Sequence, residues 1–247
     1  MRFIISGCVY KLFKHFFTKF MKYKNIPRLY LDKGLKKNEI IEISIKDKHY
    51  LCNVMRLKEG DSFKVFNGFD GEWKAIILSS KKNTVKCYKQ IKVQENFYGP
   101  SLYFSIIKSN NLKWMIEKVT ELGVKNLIPV ITERTNLKTI NRKKILAHIK
   151  EAAEVSERIE LPKLQETITL NKVIEEINLH KSTLIFCNEN RDDQSLFEVF
   201  RNRFEKEISF LIGPEGGFTI KELKILKSEK NIIPVKLDER ILRVLKN

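Results

Sequence analysis

The stretch ISFLIGPEGGFTIKELK, residues 208–224, carries the clearest structural pattern in the chain. Its first five residues (208–212) are mostly apolar and predict a buried strand. The next five, GPEGG (213–217), hold three of the ten glycines of the chain. Thr219 and Glu222 then have capping-box spacing, which predicts a helix beginning at Thr219. The stretch therefore predicts a strand, a tight glycine loop and a helix.

A glycine loop in this position is typical of a ligand site. Open α/β sheets bind ligands at the carboxyl ends of parallel strands, and glycines let the backbone approach a ligand closely. The loop has neither the G-x-x-x-x-G-K-[ST] pattern of a P-loop nor the G-x-G-x-x-G dinucleotide pattern. A tight turn that binds no ligand is the other interpretation of these residues.

The rest of the C-terminal part alternates strands with helices in the same way. We predict five strands, at 101–107, 124–132, 182–187, 208–212 and 232–237. Amphipathic spacing predicts helices at 110–122, 142–159 and 219–230, and a further one around Leu196–Phe204. This alternation predicts an α/β domain with a mostly parallel sheet that is covered on both faces.

The part before this domain has a β pattern. Short β-branched or aromatic runs at 27–31, 39–45, 61–68, 71–80 and 83–93 are bounded by turn residues. Residues 46–61 have helical spacing instead. Together they predict a small barrel of five or six strands with one helix. Tyr98-Gly99-Pro100 breaks both patterns, so we expect domains at 26–98 and 99–247.

The composition indicates a basic protein with no metal-binding pattern. A formal charge of +17 and a pI near 9.6 favour a polyanionic partner, although a genome rich in A and T would also raise the lysine content. The four cysteines and four histidines lack disulfide-framework or zinc-ligand spacing. We expect reduced thiols, no metal site and a cytoplasmic location.

Residues 1–25 differ from the rest of the chain. They contain six basic residues, five phenylalanines and no acidic residue. No apolar run there is long enough to span a membrane, so a membrane role is not expected. An amphipathic helix that touches RNA or a membrane surface is one interpretation. The other is that Met21 is the native start, because residues from Met21 onward resemble the beginning of a folded domain.

Several segments resemble one family of SPOUT methyltransferases, in the order that the family has them. They are IPRLYL (26–31), HYLCNVMRLKEGD (49–61), KSNNLKWMIEKVTELGVKNLIPVITERT (108–135), EAAEVSERIELPKL (151–164), LIGPEGGF (211–218) and LDERILRV (237–244). That family methylates N3 of a uridine, position 1498, near the 3′ end of bacterial 16S rRNA. The resemblance covers residues 26–244.

The resemblance implies a fold and a cofactor. It implies a PUA-like RNA-binding β-barrel followed by a SPOUT α/β domain that forms a homodimer and carries a C-terminal trefoil knot. The knot of this family cradles S-adenosylmethionine. The matching positions here are Leu211, Ile212, Gly213, Pro214, Glu215, Gly216, Gly217, Leu237, Ile241 and Leu242.

The resemblance also implies which residues act on the uridine. N3 of neutral uridine carries a proton, so the enzyme must remove that proton and stabilise the resulting anion next to the methyl donor. By family position the candidates are Glu133, Arg134 and Arg243. Each has a structural alternative: Glu133 and Arg134 form a surface pair, or Arg243 caps a helix.

The expected RNA contacts come from basic residues that match the family's segments. They are Arg28, Lys48, His49, Arg56 and Lys108, and the partner is 16S rRNA in the 30S subunit. His49 as a residue that only supports the fold is an alternative. For Trp114 we expect core or dimer packing rather than base stacking.

The chain departs from the family at two places near its end. Asp238 stands where the family has Gly, in a turn beside the cofactor. The family continues R-T-E-T-A into a final helix, whereas this sequence ends at Asn247. Two functions are therefore expected: an active methyltransferase, or a catalytically impaired RNA-binding remnant of the same family.

Overall fold

A computed structural model of the chain describes residues 26–188, 193–202 and 208–237. The chain divides into two compact units between Gln94 and Glu95. This division lies a few residues before the breaker at 98–100 that marks the expected boundary. Within the described ranges, no helix combines the length and the apolar character needed to cross a membrane.

The first unit is a five-stranded sheet around one hydrophobic core. Its strand order is β1-β3-β4-β5-β2, with β1 parallel to β3 and the other pairs antiparallel. Inward-facing residues of all five strands share that core, which includes Leu29, Ile41 and Phe63. The strands are β1 (Arg28–Tyr30), β2 (Ile40–Glu42), β3 (Ser62–Phe66), β4 (Glu72–Ser79) and β5 (Thr84–Lys92).

The predicted helical segment between β2 and β3 is present in two parts. Helix α1 (Ile45–Lys48) continues into a π-helix (His49–Val54), and Leu51 of the latter is fully buried in the core. Ser44 caps α1 by accepting a hydrogen bond from the Asp47 amide. The helical spacing of the sequence is therefore confirmed, with a wider turn than an α-helix has.

The second unit is the expected α/β layer structure. Its strands are β6 (Ser101–Ser105), β7 (Asn126–Ile131), β8 (Lys163–Leu164), β9 (Ile168–Thr169), β10 (Thr183–Cys187), β11 (Ile208–Ile212) and β12 (Ile232–Val235). Its helices are α2 (Ser109–Glu121), α3 (Arg142–Val155), α4 (Leu170–His180), α5 (Leu196–Asn202) and α6 (Ile220–Ser228).

All strand pairs of this sheet are parallel, so every strand ends at the same edge. The order is β12-β10-β11-β6-β7-β8, and β9 also pairs with β7. From β6 the chain proceeds outward through β7, then returns to the other side of β6 to form β10, β11 and β12. The direction of winding thus reverses between β6 and β11. Ligands of open α/β sheets bind at such a reversal.

The sequence interpretation missed α4, β8 and β9. Residues 170, 173, 174 and 177 of α4 are apolar and buried, and Thr169 caps its start. The helix ends at Lys181, which adopts a left-handed conformation (φ 51°) where glycine is usual, so the sequence lacks a stop signal. β8 and β9 have two residues each, too few to produce a periodic pattern. The predicted helices at 142–159 and 219–230 are each shorter than expected.

Candidate active site

The glycine loop connects β11 to α6 at the point where the winding reverses. Leu211 is fully buried at the end of β11, and the Gly217 amide donates to the Pro214 carbonyl at 2.9 Å. Gly217 has φ +68°, a conformation that favours glycine. A Cβ on Gly213 would lie 2.8 Å from the Phe218 ring. Backbone conformation and close packing therefore both require glycine in this loop.

The buried Phe218 ring packs against the backbone of the glycine loop. It is 8% exposed and meets Phe186 of β10 edge-on, with ring centroids 6.0 Å apart. Leu211 and Leu226 belong to the same core cluster. The loop thus rests on a rigid apolar base, which fixes the path of its backbone.

A second loop reaches the same edge from β7. Residues Thr132–Thr135 form a tight turn in which the Thr135 amide donates to the Thr132 carbonyl at 3.1 Å. The Thr132 amide donates to Oγ1 of Thr135 at 2.9 Å, and the two hydroxyls lie 2.8 Å apart. Both threonines are buried, whereas Glu133 and Arg134 between them are exposed. The turn therefore presents a carboxylate and a guanidinium to the edge of the sheet.

Two hydrogen bonds connect this turn to the glycine loop and its helix. Nη1 of Arg134 donates to the Gly216 carbonyl at 2.7 Å. The Glu133 amide donates to Oε1 of Glu222, in the first turn of α6, at 2.8 Å. The Glu133 carboxylate lies 4.0 Å from Nζ of Lys221. The structure thus brings the predicted catalytic residues Glu133 and Arg134 next to the predicted cofactor loop.

The third element at this edge is the start of α2, which follows β6. Lys108 is exposed at its N-cap position, and Nδ2 of Asn111 lies 3.5 Å from Oε1 of Glu215. The loops after β6, β7 and β11 therefore converge, as neighbouring parallel strands require. Trp114 of α2 is 50% exposed, so it does not pack in the core of this unit, and the alternative of dimer packing stays a prediction.

The remaining predicted cofactor positions follow β12. Leu237, the second residue after this strand, is half exposed. Ile241, Leu242 and the catalytic candidate Arg243 lie outside the described residues, as do Asp238 and residues 1–25. The predicted trefoil knot depends on the same C-terminal segment, so it stays an implication of the resemblance.

The other predicted RNA contacts belong to the first unit and differ in exposure. Arg28 is 5% exposed, pairs with the Glu72 carboxylate and stacks over Phe66 with its guanidinium carbon 4.4 Å from the ring centroid. His49 and Arg56 are exposed, and Lys48 is partly exposed. Arg28 would have to leave a buried ion pair to reach a phosphate, whereas the other three would not.

Two further groups bear on the chemistry available in the second unit. Burial raises the pKa of the Cys187 thiol, at the carboxyl end of β10, to about 11, so this thiol is neutral and unsuited to nucleophilic attack near neutral pH.

On α2 and α3, ligand atoms of Glu117, His148 and Glu151 lie within 4.8 Å of one another. Nζ of Lys113 lies 3.6 Å from the Glu117 carboxylate and offsets part of its charge.

Comparison with protein families agrees with this architecture. A family described as "RNA methyltransferase domain" matches residues 98–245, more than half of the chain. The chain belongs to this RNA methyltransferase family. A second family, described as "RNA methyltransferase PUA domain", matches residues 46–87 in the first unit. The predicted family and the combination of a PUA-like unit with an α/β unit are thereby confirmed.

Curated relatives of this methyltransferase span almost its whole length. The protein "Ribosomal RNA small subunit methyltransferase E" of Rickettsia conorii is 33% identical over 227 residues, which are 90% of this chain and 91% of the relative. The protein of the same name from Bacillus subtilis is 29% identical over 214 residues, 81% of this chain and 83% of the relative.

Solved structures share the fold of this methyltransferase. A protein of that name from Neisseria gonorrhoeae, bound to S-adenosyl methionine, superposes with a TM-score of 0.77 and 22% identity, covering 88% of this chain and 91% of the other. The methyltransferase Lpg2936 from Legionella pneumophila, described as putative and also bound to its cofactor SAM, has a TM-score of 0.74 and 25% identity, covering 89% and 92%.

Sequence reasoning missed one residue that joins the two loops of this methyltransferase. The capping box of Thr219 and Glu222 is confirmed, with both reciprocal hydrogen bonds present. A capping box uses the N-cap amide and hydroxyl only, so it could not indicate that the same carboxylate also accepts from the amide of Glu133. That bond joins residues 89 positions apart and depends on β7 and β11 lying two strands apart in the sheet.

Proposed function

We propose that this protein uses S-adenosylmethionine to methylate N3 of a uridine in 16S rRNA of the 30S subunit, at the position that its family resemblance implies. One observation carries the proposal. At the reversal of the parallel sheet, the glycine loop of an RNA methyltransferase is hydrogen-bonded to a turn that holds an exposed carboxylate and an exposed guanidinium. These are the groups that removal of the N3 proton and stabilisation of the anion require.

The residues of the loop fit a cofactor that lies close against the backbone. Gly213 has no room for a Cβ against Phe218, and Gly216 and Gly217 keep the rim of the loop free of side chains. Backbone of this kind lets a polar ligand approach main-chain amides and carbonyls. Leu211 to Gly217 and Leu237 would hold the cofactor, and Ile241 and Leu242 are proposed with them on the resemblance alone. When bound, S-adenosylmethionine supplies a methyl group activated by its sulfonium.

The turn after β7 would act on the uracil ring. Arg134 carries a permanent positive charge, and the Gly216 carbonyl orients it toward the loop. A cation there stabilises negative charge on O2 or O4 once N3 has lost its proton. Glu133 is exposed and adjacent, so its carboxylate is placed to accept that proton. Arg243 is proposed as a third catalytic residue by family position.

We propose that the first unit and the start of α2 hold the rRNA. The residues are Lys48, His49, Arg56 and Lys108, with Arg28 as a further candidate whose buried pair opposes that role. The charges of the lysines and arginines among them match phosphate, in agreement with the excess of 17 positive charges in the chain. A homodimer in the cytoplasm is part of the same proposal.

Methyl transfer to 30S subunits tests the function. Subunits that lack the modification are incubated with the purified protein and S-adenosylmethionine labelled in the methyl group, and the rRNA is digested to nucleosides. We expect 3-methyluridine, at one mole per mole of subunit and at one position in 16S rRNA. Binding of 30S subunits without methyl transfer would contradict the proposal and favour the RNA-binding remnant.

A further inference from the structure

We propose that Glu222 is a positioning residue, whose single buried carboxylate holds the Thr132–Thr135 turn against the cofactor loop. The proposal rests on the proposed function for its effect on methyl transfer. The physical connection itself is independent of that function. It assigns Glu222 a role besides capping α6.

The two oxygens of Glu222 serve two different segments. Oε1 accepts from the amide of Glu133 at 2.8 Å. Oε2 accepts from the Thr219 amide at 2.8 Å and from Oγ1 of Thr219 at 3.1 Å. Glu222 is 5% exposed. A charged acceptor makes strong hydrogen bonds to backbone amides, so each segment is held at a fixed distance from the same side chain.

The position of the bond makes it relevant to chemistry. Glu133 and Arg134 are the exposed residues of the turn, and the Glu133 amide is the donor. The guanidinium of Arg134 forms the second connection, to the Gly216 carbonyl. The bonds between Thr132 and Thr135 set the shape of the turn itself. Because the Arg134 connection uses an exposed side chain, the attachment of the turn to α6 depends chiefly on Glu222. Loss of Glu222 should therefore displace both candidate catalytic groups together.

A second capping box in the same unit shows what capping alone requires. Oε2 of Glu198 accepts from the Ser195 amide at 2.9 Å and from Oγ of Ser195 at 3.0 Å, and the Glu198 amide donates back to Ser195 at 3.2 Å. Glu198 is exposed, and within the described residues its carboxylate hydrogen-bonds to Ser195 alone, with the charge of Lys236 nearby. Capping thus needs neither burial nor a second segment. Glu198 provides a matched control for Glu222.

The direct test is amide hydrogen exchange at Glu133, measured by NMR on the full chain. In Glu222→Ala the Glu133 amide should exchange at least about tenfold faster than in the wild type, since a net hydrogen bond of roughly 1.4 kcal/mol corresponds to that factor. In Glu198→Ala its exchange rate should stay within twofold of the wild type. Equal exchange at Glu133 in both variants would overturn the proposal.

Kinetics then separate positioning from capping. Both variants lose one capping box, but Glu222→Ala also leaves the Glu133 amide without its acceptor, so its fall in melting temperature should be the larger of the two. Only Glu222→Ala should lower kcat for methyl transfer, at least tenfold, with KM for 30S subunits within twofold. If kcat falls equally in Glu198→Ala, the role of Glu222 is stability alone and the proposal fails.

Two further outcomes keep the test decisive. If Glu222→Ala does not fold, Glu222→Gln replaces it, because one amide oxygen can accept from Glu133 or from Thr219 but not from both. Exchange should then rise at one of these two amides, and unchanged exchange at both would overturn the proposal. If the wild type itself transfers no methyl group, the proposed function fails, while exchange at Glu133 still decides whether Glu222 holds the turn.

Discussion

Nη1 of Arg134 donates a hydrogen bond to the carbonyl oxygen of Gly216 at 2.7 Å, across 82 residues of sequence. The two residues belong to loops that leave different strands of the parallel sheet. Gly216 is exposed, and a Cβ placed on it would lie 3.7 Å from Cδ of Arg134. A cation is thus held at the rim of the glycine loop by a backbone acceptor that no substitution can remove.

Replacement of this cation should affect the chemical step. Arg134→Met keeps most of the aliphatic length but removes the charge, so we expect kcat for methyl transfer to fall by about 10²-fold or more. The affinity for S-adenosylmethionine, measured by isothermal titration, should change less than kcat. Arg142→Met serves as a control, since Arg142 donates to the Gln165 and Leu164 carbonyls, away from the loop. An unchanged kcat in Arg134→Met would exclude Arg134 from catalysis.

A methyl group at Gly213 should weaken binding of the cofactor by the glycine loop. The added Cβ would lie 2.8 Å from the Phe218 ring, and the ring is 8% exposed and packed against Phe186, so the backbone must move. We expect Gly213→Ala to weaken binding of S-adenosylmethionine at least about tenfold, a cost of roughly 1.4 kcal/mol. Gly34→Ala, with nothing within 4 Å of the new Cβ, should bind as the wild type does. Equal affinities in the two variants would contradict this account of the loop.

Replacement of Arg28 should lower the stability of the protein, and this effect should exceed any effect on RNA binding. Its guanidinium bonds to Glu72, and the two side chains are 4% and 0% exposed. Removing one member of a buried pair typically costs about 3–5 kcal/mol. Nζ of Lys92 lies 3.8 Å from the other oxygen of Glu72, so Arg28→Met should lower the free energy of unfolding by an amount at the lower end of that range, as measured by urea titration. The double variant Arg28→Met, Glu72→Leu should recover part of the loss, because no buried charge is then unpaired. A stable Arg28→Met protein with weaker RNA binding would identify Arg28 as a phosphate contact instead.

Cys87 should be inert at mildly alkaline pH. Burial in the core of the first unit, together with the charge of Glu39, raises its pKa from 9.0 to about 11. At pH 8.5 less than about 1% of this thiol is ionised, and the thiolate is the nucleophile. We expect iodoacetamide to modify the half-buried Cys52 well before Cys87, as measured by peptide mass spectrometry. Equal modification of the two in folded protein would contradict the buried placement of Cys87.

Ionisation of the Cys87 thiol should make the stability of the protein depend on pH. Because the folded-state pKa is raised, the unfolded chain loses this proton first. The contribution of the Cys87 thiol to the free energy of unfolding is therefore fully present below about pH 9, and it is lost as the pH rises toward about 11. The urea midpoint should fall across this window by less in Cys87→Ala than in the wild type. A fall of equal size in both would assign the alkaline loss to other groups.

Local patterns predicted the elements that carry a clear period. Residues 208–212 form the expected strand, and Thr219 caps α6 with Glu222 as its spacing requires. The segments at 170–180 and 163–169 were missed for local reasons as well. The first ends in a left-handed lysine rather than a glycine, and the second contains strands of only two residues.

Periodicity, turn residues and the order of motifs can be read along the chain, and they were enough to predict two units, a parallel α/β layer, the family and the position of the glycine loop. The three-dimensional fold was needed to show that Arg28 is buried against Glu72, that Arg134 reaches Gly216 and that Glu222 joins two loops. Each of these contacts joins residues more than 40 positions apart. A charged residue has the same sequence pattern whether it contacts solvent or a distant backbone group. Its partner is therefore set by the order of the strands and by burial in the folded chain.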